Sequence, residues 1–131
     1  VVAKERSDVV IHSNRIAVES IFSNLLDNAI EHGKHCEPIS VYIGKTQSGR
    51  GQIEVTNITH TEMDESDLRH MFEPLWQKDA SRTSEDNFGL GLSIVSALCS
   101  AIGADVSVDK LDHNHISFSV IFKRSLNNTC C

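Results

Sequence analysis

The sequence predicts an α/β two-layer sandwich, in which a mixed, mostly antiparallel sheet of about five strands is covered on one face by three helices. Two segments repeat apolar residues at helical spacing, and several shorter ones alternate apolar and polar residues as strands do. Turn residues, including glycines, separate neighbouring segments. The chain has 131 residues, which is enough for one domain with its own hydrophobic core.

Five segments are predicted as strands because they are short, apolar or alternating, and bounded by turn residues. They cover residues 7–11, 39–45, 52–57, 104–110 and 115–123. The run from Ser48 to Gly51 is a turn signal, so the second and third strands should pair as a hairpin. The last two strands are expected to be joined by a turn at Asp112 to Asn114.

Three helices are predicted, at residues 13–32, 64–72 and 91–101. Ser13 is the expected cap of the first helix, Gly33 its end, and Gly103 the end of the third helix. The first helix has one broad apolar face that must pack on the strands. The residues of this face are Val18, Ile21, Phe22, Leu25, Leu26, Ala29 and Ile30.

The remaining segments predict one domain with a loop and a tail. Residues 74–88 are polar and weakly patterned, which predicts a long mobile loop. Residues 1–125 are expected to form the single domain and residues 126–131 a flexible tail. No apolar run approaches the roughly 20 residues that cross a bilayer, so no direct membrane contact is expected.

Charge and cysteine content narrow the classes of partner. The formal net charge is −6, and the 12 Lys and Arg residues are scattered. Nucleic acid is therefore not an expected partner, because neutralising its phosphates requires a concentrated basic surface. The four cysteines form no C-x-x-C pair, which favours reduced thiols in the cytoplasm, with Cys99 buried in a helix.

A transition-metal site is the weaker interpretation of the end of the first helix. His32, His35 and Cys36 lie close together there. They do not form the spaced pairs of a structural zinc site, and no fourth ligand is evident. A metal other than Mg²⁺ is therefore not expected.

A polar stripe follows the first helix opposite its apolar face. Asn24, Asn28 and Glu31 are spaced i, i+4 and i+7, which places them on one side of the helix. A carboxamide oxygen can complete the coordination of a magnesium ion that already holds phosphates and waters. On spacing alone, a solvated helix face is the more common interpretation, because polar helix faces are the rule.

A second candidate site lies where the polar loop meets the third helix. Gly89 and Gly91 allow the backbone to approach a ligand closely, and a helix N-terminus offers free N–H groups. This arrangement can hold phosphate. It lacks the Lys-Ser/Thr ending of a P-loop, so a flexible hinge before the helix stays open.

Three segments, in this order, resemble the motifs of histidine-kinase catalytic domains. The segment Asn24 to His32 resembles their N-box, Phe72 to Trp76 resembles their F-box, and Phe88 to Val95 resembles their second glycine box. The predicted order of strands and helices is also similar to theirs from end to end. The resemblance implies the GHKL-type ATP-binding fold, which is also called the Bergerat fold.

The resemblance further implies a domain that binds ATP with Mg²⁺ and transfers the γ-phosphoryl group to a histidine. Asn24 and Asn28 match the family's catalytic asparagines, with Asn28 at the position of the magnesium ligand. The other residues expected at the nucleotide are Glu31, His32, Asn57, Lys78, Arg82, Phe88, Gly89, Leu90, Gly91 and Leu92.

The implied partners are an upstream helical domain, which supplies dimerisation and the phosphoacceptor histidine, and a response regulator. Without the phosphoacceptor domain, the fragment is expected to be inactive as a kinase. The implied location is the cytoplasm, either free or as the cytoplasmic part of a membrane-bound sensor.

The sequence departs from the family at the first glycine box, which would read Asp-x-Gly-x-Gly. The run Thr56 to Thr61 contains no glycine, and Asn57 stands where the adenine-reading aspartate belongs. An asparagine can accept a hydrogen bond from the exocyclic amine and donate one to a ring nitrogen. Adenine recognition is thus altered rather than chemically excluded.

Two alternatives remain open at this point. The altered first glycine box favours a degenerate module that keeps the fold, binds no ATP and acts through protein–protein interaction. The segment Ile30 to Gly33 is faintly similar to anti-sigma serine kinases. Those enzymes place a glutamate base where this chain has Asn24, and an amide cannot act as that base.

Overall fold

The structure is a computed structural model that describes residues 2–6, 10–34, 36–59, 62–74, 91–112 and 114–123, with residues 2–6 described by their backbone alone. The described elements are β1 (Val2–Arg6), α1 (Arg15–His32), β2 (Ser40–Lys45), β3 (Gly51–Ile58), α2 (Glu65–His70), α3 (Gly91–Ile102), β4 (Asp105–Lys110) and β5 (His115–Ile121).

The described strands form one sheet of five, in the order β1-β2-β3-β5-β4. β1 runs parallel to β2, and every other neighbouring pair is antiparallel. The predicted fold class, a mixed and mostly antiparallel sheet with helices, is therefore confirmed. The predicted hairpins β2–β3 and β4–β5 are both present.

The first strand lies earlier than predicted. Residues 2–6 form β1, and Val10 and Ile11 lie outside any strand, whereas residues 7–9 of the predicted strand fall outside the described residues. β1 pairs with β2 in a register that sets Val2 beside Ser40 and Arg6 beside Ile43. Such a parallel pairing joins segments separated by a whole helix, so local alternation could not locate it.

The cap of α1 also differs from the prediction. Asn14, not Ser13, is the capping residue, and its Oδ1 accepts a hydrogen bond of 3.0 Å from the backbone N–H of Ala17. Asn14 has extended backbone dihedrals, as a capping residue requires. The end of α1 at Gly33 agrees with the prediction.

Replacing this cap is expected to destabilise the domain. Asn14→Ala removes the acceptor for the Ala17 N–H and should lower the free energy of unfolding by about 0.5–2 kcal/mol. Urea denaturation followed by circular dichroism measures this change. Ser13→Ala is the matched control and should change stability by less than about 0.5 kcal/mol. A larger loss for Ser13→Ala than for Asn14→Ala would contradict the assigned cap.

The hydrophobic core lies between one face of the sheet and the helices. Side chains from β3, β5, α1 and α3 that are at most 1% exposed form its centre. They are Val55, Ile116, Phe118, Val120, Ile21, Leu25, Ala29, Val95 and Cys99. Phe72, directly after α2, packs edge-to-face on Phe118 with ring centroids 6.1 Å apart. Leu68 of α2 also packs against this core, so all three helices contribute to one layer.

Cys99 is buried in this core, as the sequence predicts. Burial, with a smaller contribution from the charge of Asp105, raises the pKa of the Cys99 thiol to about 11. The thiol therefore remains protonated at neutral pH and behaves as a small apolar side chain.

Candidate functional site

The site begins where the middle of α1 meets the first residue of α3. The Asn24 Oδ1 lies 3.4 Å from the position that a Cβ on Gly91 would occupy. The Asn24 Nδ2 donates a 2.7 Å hydrogen bond to the Ser20 carbonyl oxygen and lies 3.3 Å from the Ser20 Oγ. These bonds hold the amide so that its oxygen faces α3. The structure thereby brings together residues of the two motifs that the sequence analysis considered separately.

Ser20 was missed by the sequence analysis. It lies one helical turn before Asn24 and fixes the orientation of that amide through both its carbonyl and its hydroxyl oxygen. The i, i+4 spacing of Ser20 and Asn24 is the signal that could have identified it.

Asn28, Glu31 and His32 continue along α1 from Asn24. Asn28 is half-buried, and no other described residue hydrogen-bonds to its side chain. Glu31 and His32 are exposed in the last turn, where each interacts with another residue. The side of α1 that is nearest α3 thus offers two neutral amides and, beyond them, one acidic side chain.

Asn57 lies on the core side of β3, near the end of that strand. Its side chain is 3% exposed, and the sheet register places it beside Ile116 of β5. Its Oδ1 is buried without a hydrogen-bond partner among the described residues. Buried polar atoms are nearly always paired in native proteins, so this oxygen points to a donor that the described protein residues do not supply.

Gly33, at the end of α1, lies close to the Asn57 side chain. The sequence analysis did not predict this contact. A Cβ at Gly33 would collide with the Ala29 carbonyl oxygen and would lie 3.6 Å from the Asn57 Nδ2. The Lys34 N–H donates to the Ile58 carbonyl oxygen, and Gly33 forms a bridge with Thr59. The end of α1 is thus fastened over the end of β3, with Asn57 beneath it.

The glycine at position 33 therefore allows the main chain at the end of α1 to pack closely. Its φ of −72° is one that any residue can adopt, unlike the φ of +75° at Gly103. Glycine is needed at position 33 because there is no room for a Cβ. A helix-stop signal in the sequence does not distinguish these two reasons.

The remaining predicted site residues divide into two groups. Leu92 is 8% exposed and belongs to the hydrophobic core, so its side chain faces the protein interior. Gly91 begins α3 and is half-buried. The predictions for Lys78, Arg82, Phe88, Gly89 and Leu90 fall outside the described residues.

The name cleft is used for the region lined by Asn24, Asn28, Asn57 and Gly91. The pKa shifts lie away from this cleft. A hydrogen bond from the His115 side chain, followed by backbone N–H groups, holds the pKa of Asp112 below its usual value, at the turn between β4 and β5. A hydrogen bond to Glu19 raises the pKa of Arg15 on the first turn of α1. The amides of Asn24, Asn28 and Asn57 do not titrate, so the cleft offers neutral donors and acceptors.

Within the described part of the chain, no group of three His, Cys, Asp or Glu residues is arranged to hold a metal ion. Asparagine ligands lie outside that set, so Asn28 remains the candidate for magnesium. No helix among the described residues has the length and apolar character needed to cross a membrane.

Comparison with known proteins places this arrangement in a family. The family described as histidine kinase-, DNA gyrase B-, and HSP90-like ATPase matches residues 13–125. The chain is 31% identical to the sensor protein VanSC of Enterococcus gallinarum over 112 residues, which are 85% of this chain and 30% of that protein. It is 31% identical to the sensor histidine kinase YcbM of Bacillus subtilis strain 168 over 123 residues, which are 88% of this chain and 37% of that protein.

The fold agrees with these matches. The catalytic domain of the histidine kinase ThkA, in a nucleotide-free form, has a TM-score of 0.75 to this chain at 19% identity, covering 95% of this chain and 77% of that one. The chain spans 30% and 37% of its two curated relatives, both of which are sensor proteins. The chain belongs to the histidine kinase-, DNA gyrase B- and HSP90-like ATPase family.

Proposed function

We propose that this chain is the ATP-binding catalytic domain of a sensor histidine kinase, which binds Mg-ATP between α1 and α3 and donates the γ-phosphoryl group to a histidine. The observation that carries the proposal is the close approach of the Asn24 Oδ1 to Gly91, 3.4 Å from the position that a Cβ would occupy there. It sets an amide oxygen of α1 against the start of α3. An arrangement in which α1 merely presented a solvated polar face would not require this approach.

A second, independent observation supports the binding of an adenine nucleotide in the cleft. The buried Asn57 Oδ1 lacks a donor among the described residues, and the exocyclic amine of adenine is such a donor. The absence of a side chain at Gly33 lets the end of α1 lie close to the Asn57 amide. These two observations support a proposed orientation of the ligand, with the base at Asn57 and the phosphates near Asn24, Asn28 and Gly91.

The residues of the cleft bind and orient the phosphates. Mg²⁺ bound to the phosphates would neutralise their charge, which is the main requirement of phosphoryl transfer. The Asn28 side-chain oxygen is the ligand that this chain offers to the ion, since hard cations take oxygen donors. The hydrogen bonds from Asn24 to Ser20 fix the Asn24 oxygen beside Gly91 in advance of binding.

The amide at position 24 also bears on the acceptor of the phosphoryl group. An amide cannot take a proton from water or from a serine hydroxyl. A neutral histidine needs no such base. We therefore place the acceptor histidine on a separate helical dimerisation domain, with a response regulator as the subsequent partner and the cytoplasm as the location.

The test is calorimetric titration of the 131-residue chain with a non-hydrolysable ATP analogue, with and without Mg²⁺. Saturable binding that depends on Mg²⁺ is expected. Asn28→Ala should weaken this binding at least about tenfold, or about 1.4 kcal/mol, because it removes the oxygen offered to the ion. Ser23→Ala, on the exposed side of α1, is the matched control and should leave the affinity unchanged.

Two results would contradict the proposal. Undetectable binding to a folded sample at millimolar nucleotide would leave only the fold and favour an interaction module without ATP. Equal, Mg²⁺-dependent affinities for the Asn28→Ala and Ser23→Ala variants would remove Asn28 from the site.

A further inference from the structure

The end of β3 contains a buried amide whose oxygen has no hydrogen-bond partner among the described residues. Asn57 is 3% exposed, and its Oδ1 has no hydrogen-bond partner among the described residues. The strand fixes where this side chain starts, because Asn57 is paired with Ile116 in the ladder between β3 and β5. The backbone position is therefore fixed, and the amide can adapt to a ligand only by rotating about its two side-chain bonds.

Main-chain segments form part of the surroundings of this amide. The Lys34 N–H donates to the Ile58 carbonyl oxygen, and Gly33 is bridged to Thr59. These contacts hold the end of α1 at a fixed distance from β3. The position of a Gly33 Cβ lies only 3.6 Å from the Asn57 Nδ2, so the amide nitrogen lies against the main chain at the end of α1.

An amide carries one acceptor and one donor side by side, whereas a carboxylate carries two acceptors. The edge of adenine presents a donor at its 6-amino group and an acceptor at N1. A 6-oxopurine presents the reverse, an acceptor at O6 and a donor at N1. The terminal torsion of asparagine is broad and roughly two-fold, so a half-turn of the amide exchanges its oxygen and nitrogen. Asparagine can therefore complement both edges.

A carboxylate at the same position can fully complement only one of the two purine edges, that of adenine. It accepts from the 6-amino group of adenine. With a 6-oxopurine it accepts from N1–H, but its second oxygen then faces O6, and two acceptors meet without a proton between them. Leaving a buried acceptor unpaired in this way disfavours the complex strongly.

We infer that Asn57 makes the nucleotide site of this chain tolerant of the purine 6-position, so that it accepts 6-oxopurine nucleoside triphosphates as well as ATP. This inference rests on the proposed function, because it requires the base to lie at Asn57. It assigns Asn57 as the residue that determines base specificity and extends the substrate class from adenine nucleotides to purine nucleotides.

The experiment measures the dissociation constants of Mg-ATP and Mg-ITP by calorimetry for the unmodified chain and for Asn57→Asp. Inosine triphosphate is the chosen probe because it lacks the 2-amino group of guanine, which a carboxylate could also bind. For the unmodified chain, the ITP and ATP constants should agree within about tenfold. For Asn57→Asp, their ratio should rise above about one hundred, since an unpaired buried acceptor is then left in the ITP complex.

A second measurement separates specificity from structural damage. The thermal midpoints of the two proteins without nucleotide report whether the near-isosteric change disturbs the fold. Asn57→Ala should weaken ATP and ITP by similar factors, because it removes the interaction with both bases. A structural role alone would shift the midpoint without changing the ratio of the two constants.

Each remaining outcome is decisive. Tight ATP binding with an ITP constant more than about one hundred times larger in the unmodified chain would overturn the specificity inference and leave the proposed function intact. If the ratio of the ITP and ATP dissociation constants were the same in the unmodified chain and in Asn57→Asp, Asn57 would not determine base specificity. No binding of either triphosphate would overturn the proposed function together with the inference.

Discussion

Phe118→Ala is expected to lower the free energy of unfolding by about 3–5 kcal/mol. Phe118 is 1% exposed and lies on the inner strand β5, where the register places it between Val55 of β3 and Val108 of β4. Its ring also packs edge-to-face on Phe72. Truncation removes a large apolar side chain and leaves a cavity that a paired strand cannot collapse to fill.

Urea denaturation of the isolated chain measures this loss. Because domains are stable by only about 5–15 kcal/mol, this loss should be a large fraction of the total stability. Phe118→Leu preserves most of the volume and should cost less than the alanine variant. Leu111→Ala, at a side chain that is 62% exposed, should change stability by less than about 0.5 kcal/mol. A Phe118→Ala loss no greater than that of Leu111→Ala would contradict the described core.

The second large effect is expected for Gly33→Ala, which should weaken both the fold and nucleotide binding. The new Cβ would collide with the Ala29 carbonyl oxygen, and backbone cannot move aside as a side chain can. The overpacking should cost about 1–3 kcal/mol. Displacing the end of α1 also disturbs the space around Asn57, so the affinity for Mg-ATP should fall at least about tenfold.

Gly103→Ala is the matched control, because Gly103 also follows a long helix. Its φ of +75° makes alanine unfavourable by about 1–2 kcal/mol, but the new Cβ would meet the flexible Lys123 side chain, 3.2 Å away. Gly103→Ala should therefore lose stability and retain nucleotide affinity. Equal affinities for the Gly33→Ala and Gly103→Ala variants, measured at a temperature where both are folded, would contradict a role for Gly33 in the cleft.

Local patterns were sufficient for most of the fold. The apolar repeat of α1, the turn between β2 and β3, and Gly103 at the end of α3 each depend on residues that are close in sequence. The two errors arose where local signals were nearly equivalent. Ser13 and Asn14 are both good capping residues, and the geometry of the Ala17 N–H decides between them. β1 was misplaced because its partner β2 lies beyond α1.

The candidate site was predictable as a set of residues but not as an arrangement. Helical spacing placed Asn24 and Asn28 on one side of α1, and the order of motifs supplied the family resemblance. The approach of Asn24 to Gly91, and of Gly33 to Asn57, depends on how α1 packs against α3 and β3. Such long-range contacts leave no periodic signal, so the function of Gly33 emerges only from the structure.

The sheet order β1-β2-β3-β5-β4 has a consequence for the folding kinetics of this domain. β3 and β2 are joined by a short turn, but β3 and β5 are adjacent although α2 and α3 lie between them in the chain. Closing that long loop is entropically costly and slows the rate-limiting step. The β2–β3 hairpin can form early, whereas the cleft forms only after β5 has paired with β3 and α3 has packed against α1. Nucleotide should therefore bind only after this late closure, and it should slow unfolding more than it speeds folding.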